Sequence, residues 1–388
     1  MSDRPSMPLL HKGFDSLDLA FPLTISETFA DEIDEVRAEM AEYDLPLGRL
    51  DRGDRSFVVH PTGARGGFAY MGSFDSTDNI WFLKKPNGKR DACGLRVSCS
   101  ARNLAMDGIT TVRGQLAEEL ACFGLLPKPG TESLGRVDFA MDFLAPDFIL
   151  DADQFVMHPR NSRKRHAVAF DLAEYGRSGR TTSVTIGKNP HRQVIVYDKR
   201  EEILFKASHM PILWRSNLER LGLPDIDLSK PKSSRVWRVE IRFYKEYLKS
   251  IWGVRTFGDL AKKLPAMLRK TVNEIRYTQP GSDRNRSRWP DHPLWLRVRE
   301  EIECDFATIR TEADKETVIA ESLAQKDAYL SRQIAGCTLN RAALRGLGVN
   351  ELKPFAETQA QQIAGNYEAK PERTAEKLTK AKLRYGKS

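Results

Sequence analysis

Two segments of the chain alternate apolar and polar residues without a fault. RVDFAMDF (136–143) sets Val137, Phe139, Met141 and Phe143 on one side and Arg136, Asp138, Ala140 and Asp142 on the other. VWRVEIRF (236–243) does the same, with Trp237, Val239, Ile241 and Phe243 opposite Arg238, Glu240 and Arg242. A period of two marks a strand with one buried face. Shorter alternating runs fill much of the chain from Gly13 to about Phe243: FDSLDLAF, SFVVHP, FAYMGSF, IWFLKK, LRVSCSA, TTSVTI and QVIVYDK. Helical periodicity interrupts them at ISETFADEIDEVRAEMAEY, at TTVRGQLAEELACFGLL and from Arg200 to about Leu221. The mixture predicts an α+β domain with a largely antiparallel sheet and flanking helices.

After Phe243 the pattern changes. FGDLAKKLPAMLRKTVNEIRY reads as helix, QPGSDRNRSRWPDHP as a basic connector, and almost everything from Leu294 onward as helix. The division expected is a loose tail over 1–12, a sheet-containing domain over 13–290, and a helical region over 291–388. The last stretch, PERTAEKLTKAKLRYGKS, reads as a frayed helix or a disordered basic tail. No repeat of solenoid period is present.

Composition narrows the partners. Sixty-one Lys and Arg against fifty-three Asp and Glu give the 388 residues a formal charge of +8, which favours a polyanion. The five cysteines are scattered with no CxxC pair, so neither a zinc ribbon nor a thioredoxin-like site is expected, and free thiols in a reducing compartment are. The N-terminus has no apolar signal-peptide core, and no run reaches membrane-spanning length. A cytoplasmic protein with no membrane partner is expected.

The polar faces of the two faultless strands concentrate acids and arginines. Cross-strand ion pairs on a half-solvated sheet would produce the same pattern. The alternative is chemical. Asp138, Asp142 and Glu240 are hard oxygen donors suited to Mg²⁺ or Mn²⁺, and the arginines beside them suit phosphate oxygens. In RQVIVYDK, Tyr197 and Lys199 stand two apart and would leave one strand face together. A metal ion or the Lys199 ammonium would favour the phenolate, and its attack on a phosphodiester would give a phosphotyrosyl link and release a 3′-hydroxyl. Upstream, TTSVTIGKNPHR offers a turn at Gly187, with Lys188, His191 and Arg192 placed for a phosphate backbone. It lacks the glycine and the Ser/Thr of a P-loop, so ATP-driven unwinding is not expected.

The order GFDSLDLAF, RVDFAMDF, IGK…RQVIVYDK, VWRVEIRF resembles the trans-acting replication initiation factor family (Rep_trans type) of rolling-circle plasmids and filamentous phages, over roughly residues 13–300. The resemblance implies a strongly curved antiparallel sheet with flanking helices. It implies that Tyr197 nicks one strand of origin DNA, with Asp138, Asp142 and Glu240 lining the metal site; the residues themselves add Lys199 and Glu240 as catalytic groups. Lys188, Arg192, Arg238 and Arg242 would be phosphate-side helpers. Polymerase would extend the 3′-end, a host helicase would assist, and the protein could act as a dimer.

Other nicking chemistries fit poorly. The seven histidines include no pair two apart, so a His-hydrophobic-His metal motif is absent. A tyrosine recombinase would carry its nucleophile in a late helix, whereas Tyr197 sits mid-chain on a strand. A non-catalytic DNA-binding replication or copy-control protein remains the competing class. For it speaks HPRNSRKRH (158–166), where Arg163, Lys164 and Arg165 stand without an acid. SDRNRSRW (282–289) is a second basic stretch, with Trp289 available for a base or for the core. LSRQIAGCTLNRAALRGLG (330–348) has a helix-turn-helix look, with Gly336 at the turn and Arg341 and Arg345 on the second helix.

Overall fold

The structure is a computed structural model and describes residues 7–53, 55–87, 93–157, 172–177, 179–203, 208–230, 232–311 and 313–384. Its centre is one open sheet of eleven strands. In chain order these are β1 (Leu9–Phe21), β2 (Gly48–Arg52), β3 (Arg55–Val59), β4 (Tyr70–Phe74), β5 (Ile80–Leu83), β6 (Leu95–Cys99), β7 (Ser133–Leu144), β9 (Leu172–Arg177), β10 (Arg180–Gly187), β11 (Arg192–Asp198) and β12 (Val236–Tyr244). In space they run β2-β3-β4-β5-β6-β1-β7-β12-β11-β10-β9, and every registered pair is antiparallel. The long strands β1, β7 and β12 sit in the middle, and β8 (Phe155–Met157) with β13 (Ile275–Tyr277) forms a separate two-stranded antiparallel sheet. The expected α+β class with a large antiparallel sheet holds.

Alternation decides which face each residue takes. The apolar sets of β7 and β12 join Leu17 and Leu19 of β1, Val97 of β6, Trp81 of β5 and Val194 and Val196 of β11 in a continuous core with essentially no solvent exposure. Helices cover that face: α1 (Glu27–Glu42) through Phe29 and Ile33, α2 (Ala101–Cys122) through Val112, Leu116 and Leu120, and α5 (Phe257–Glu274) through Leu260, Leu264 and Leu268. Helix α6 (Pro293–Glu301) adds Leu294, Trp295 and Val298, so the core continues past the expected boundary at residue 291. Short α3 (Lys199–Ile203) and α4 (Met210–Arg220) form a second cluster at one end of β1 and β7, where Leu213 and Trp214 meet Leu10, Leu144 and Val318.

Two expectations need correction. The sheet begins at Leu9, so residues 9–12 belong to β1 and not to a loose tail. Helix α7 (Lys315–Leu344) runs unbroken through Gly336; the supposed turn is helix interior, and no helix-turn-helix forms there. After α8 (Leu352–Ala369), the basic C-terminal stretch takes the helical alternative as α9 (Pro371–Arg384), with Arg373 donating to the Tyr43 carbonyl at the end of α1. Among the described residues no helix is long and apolar enough to cross a membrane.

Candidate active site

The face opposite the core carries the polar set. Cross-strand register aligns it in rows: Asp138 of β7 faces Ser16 and Arg242, Ala140 faces Gly13 and Glu240, and Asp142 faces His11 and Arg238. Tyr197 of β11 pairs with Arg238 and Ile195 with Glu240, so the phenol lies diagonally across from the Glu240 carboxylate. Its hydroxyl donates to Glu240 Oε2 at 3.0 Å. Tyr197 and Glu240 therefore meet, as the sequence expected, though the same geometry also suits a structural hydrogen bond.

Each acid has a distinct environment. Glu240 Oε1 accepts from Arg242 Nε at 2.6 Å, and the same nitrogen lies 3.6 Å from Asp138 Oδ2. Asp138 is gripped by Arg136, whose Nε donates to Oδ1 at 2.9 Å while Nη2 reaches Oδ2. Burial raises the Asp138 carboxyl most; Arg136 opposes this and nearby Glu240 adds to it, leaving it at about 7. Asp142 is wholly buried: Oδ1 accepts from Arg238 Nε at 2.6 Å, and Oδ2 from Arg238 Nη2 at 2.9 Å and Trp214 Nε1 at 2.8 Å. Burial pushes its carboxyl upward, but Arg238 outweighs this and holds it below the usual range. Arg238 is equally buried and spends Nη1 on Asp15 at 2.5 Å, which burial opposes but Arg238 and Lys199 hold down at about 2.

These partners test the metal expectation. A divalent ion would need open oxygens from Asp138, Asp142 and Glu240 together. Both Asp142 oxygens are engaged by a bidentate guanidinium and an indole, and the other two acids are arginine-bound. Among the described residues no group of three or more His, Cys, Asp or Glu side chains is arranged to hold a metal ion. The three carboxylates do not fit Mg²⁺ or Mn²⁺ as a set, and Asp142 is a structural acid in this arrangement.

The expected helpers divide. Arg242 belongs to the tyrosine's face. Arg238 is sealed under α4 and cannot meet a phosphate from where it lies. Arg192 pairs with core-facing Phe243 and leaves by the opposite face, where it donates to Tyr247 and Thr271 and pairs with Glu274. Lys199 is not on β11 but opens α3; its Nζ sits 2.7 Å from Glu202 and 5.5 Å from the Tyr197 ring centre. Lys188 is exposed in the β10–β11 turn. Gly187 shapes that turn with φ of 83°, and a Cβ there would press into the Arg192 carbonyl oxygen. Arg163, Lys164 and Arg165 lie outside the described residues. Trp289 is half-buried and donates to the Asp283 carbonyl at 2.8 Å.

Sequence reasoning missed Asp15, His11 and Trp214 as parts of this cluster. Asp15 sits at a bulge of β1 where the register with β7 shifts, so no alternation points it at Arg238. Trp214 arrives from a helix 72 residues distant in sequence from Asp142. Arg136 was legible, standing two before Asp138 on the same face.

No protein-family model and no curated protein matches the chain. A solved structure described as the rolling circle replication initiator protein from Geobacillus stearothermophilus is similar at 15% identity over 77% of this chain and 97% of that one, with a TM-score of 0.36. At those values it is a loose likeness.

Proposed function

We propose that this protein cuts and rejoins one DNA strand at a replication origin, opening rolling-circle replication with Tyr197 as nucleophile. One observation carries the reading: a tyrosine hydroxyl donating to a carboxylate at 3.0 Å on the polar face of the sheet, with Arg242 on that carboxylate and Arg136 on neighbouring Asp138. Burial first, then Glu240, push the Tyr197 phenol well above its ordinary value, while Arg238 opposes them. The phenol is therefore neutral at pH 7 and requires a base at the moment of attack. Glu240 accepts the proton as the phenolic oxygen bonds to phosphorus and the bond from phosphorus to the 3′-oxygen breaks. Asp138, poised at about 7, is the group able to return a proton to the departing oxygen.

The test is covalent capture. Wild-type protein incubated with a supercoiled plasmid carrying its origin should yield nicked product and a protein–DNA adduct that survives denaturation. Tyr197→Phe should lose both while still binding the DNA. Running the reaction in EDTA and again with Mg²⁺ or Mn²⁺ separates the acid–base pair, which works in EDTA, from the cation chemistry expected from the sequence. The competing binder reading is favoured by the same burial of Tyr197. It requires that neither protein form an adduct and that both bind equally.

A further inference from the structure

Two bands of the polar face extend from the Tyr197–Glu240 contact toward β4. Row by row, Met71 of β4 faces Phe82 of β5, which faces Arg96 of β6; Asp18 of β1 faces Arg136 of β7, which faces Tyr244 of β12. In both bands a guanidinium lies over an aromatic ring. Arg96 stands 5.2 Å from the Phe82 centroid and Arg136 stands 5.5 Å from that of Tyr244. Such pairs occur about once per 70–80 residues, so one alone means little. Here both lie on one sheet face with Tyr197, whose ring holds the Lys199 ammonium in the same manner.

The arginines are fixed in place. Arg96 donates to Asp18 at 2.8 Å and Arg136 is held by Asp138, yet their side chains stay 43% and 30% exposed. The core helices α1, α2, α5 and α6 lie on the other face, and α4 closes only the end around Asp142. Phe82, Arg96, Ser98, Asp18, Arg136 and Tyr244 all remain partly open. From β5 to β11 is five strand spacings, about 24 Å, enough for several nucleotides.

We propose that the Phe82–Arg96 pair is a stacking platform for the bases of single-stranded DNA flanking the cut, with Tyr244 and Arg136 between it and Tyr197. The assignment rests on the nicking reading for its substrate. Charge argues for a nucleic acid rather than an apolar partner: Arg96 offers an exposed cation and a planar face together, and a base stacks on a ring while the adjoining phosphate meets the guanidinium. Because Asp18 and Asp138 balance these arginines, affinity at the platform comes from stacking and depends on the presence of bases.

The experiment measures fluorescence anisotropy with a labelled 15-nucleotide oligothymidylate and with an abasic strand of the same length. The proteins are Tyr197→Phe, which prevents covalent capture, and the same protein carrying Phe82→Leu or Phe82→Trp. Phe82→Leu should bind the oligothymidylate about tenfold more weakly, the order expected of a lost base stack, and Phe82→Trp should restore it. Preference for the base-containing strand over the abasic one should shrink in Phe82→Leu alone. Equal affinities for Tyr197→Phe and its Phe82→Leu derivative overturn the platform. So does equal loss in Phe82→Leu and Phe82→Trp accompanied by a lowered Tm, which would show that Phe82 only packs. The adduct assay is separate: no adduct with a Phe82-dependent affinity removes the nicking reading and keeps the platform, while an adduct with no Phe82 dependence does the reverse.

Discussion

At the residue scale the cluster around Arg238 shows how burial changes the meaning of a charge. From the sequence, Asp142 and Asp138 are equivalent acids four apart on one strand face, and only partners brought from elsewhere separate them. Asp142 meets Arg238, Trp214 and nearby His11, and becomes half of an ion pair with no solvent exposure on either side. Asp138 is as fully buried but meets two arginines and nearby Glu240, and keeps a carboxyl near 7. Replacing one member of a sealed pair strands the other charge, a loss of about 3–5 kcal/mol. Asp142→Asn should accordingly lower the denaturation midpoint strongly and weaken cleavage and DNA binding together. Selective loss of cleavage with an unchanged midpoint would return Asp142 to the catalytic set.

At the element scale the strands were far more legible than their surroundings. β7 and β12 could be read to the residue because a sheet with one buried face imposes strict alternation, and the structure keeps the faces assigned from it. Helix α7 was misread because glycine was taken as a breaker, whereas a single glycine in a long helix costs only about 1 kcal/mol against alanine. The fixing of α2 to β5 was not legible at all. Glu119 of α2 is wholly buried and accepts from Trp81 Nε1 at 2.7 Å, from Asn79 Nδ2 at 3.2 Å and from the Thr77 hydroxyl. Burial raises its carboxyl, and these donors only partly offset that. The folded state therefore holds the proton more tightly than the unfolded chain. Stability from this group is complete below the unfolded value of about 4.3 and is lost as pH rises through the higher folded value. Glu119→Gln removes the titration. The Tm of the variant minus that of the wild type should be more favourable at pH 7.5 than at pH 4.5, and an equal difference at both would show that Glu119 does not titrate in the folded protein.

At the scale of the whole molecule, the core and the candidate site belong to the sheet, and the C-terminal helices are attached to it sparingly. The main core ends with Ile302 and Phe306. Among the described residues after Phe306 the side chains sealed from solvent are few: Val318 against α4, then Ala342, Phe355 and Gln359 where α7 and α8 meet. Ion pairs from Lys315 to Asp107 and from Arg215 to Glu321 tie the start of α7 to the body, and Arg373 touches the end of α1. Exposed pairs of this kind add little, so Val318 is the main apolar anchor, a burial of about 1.5–3 kcal/mol. A chain ending at Thr311 should therefore fold, with a Tm lower by about 5 °C. The Tyr197–Glu240 contact involves only β11 and β12, and the platform only β5 and β6, so the shortened chain should keep both its adduct and its Phe82-dependent affinity. If it instead failed to unfold cooperatively, the helices beyond residue 311 would be part of the sheet's support and not an appendage.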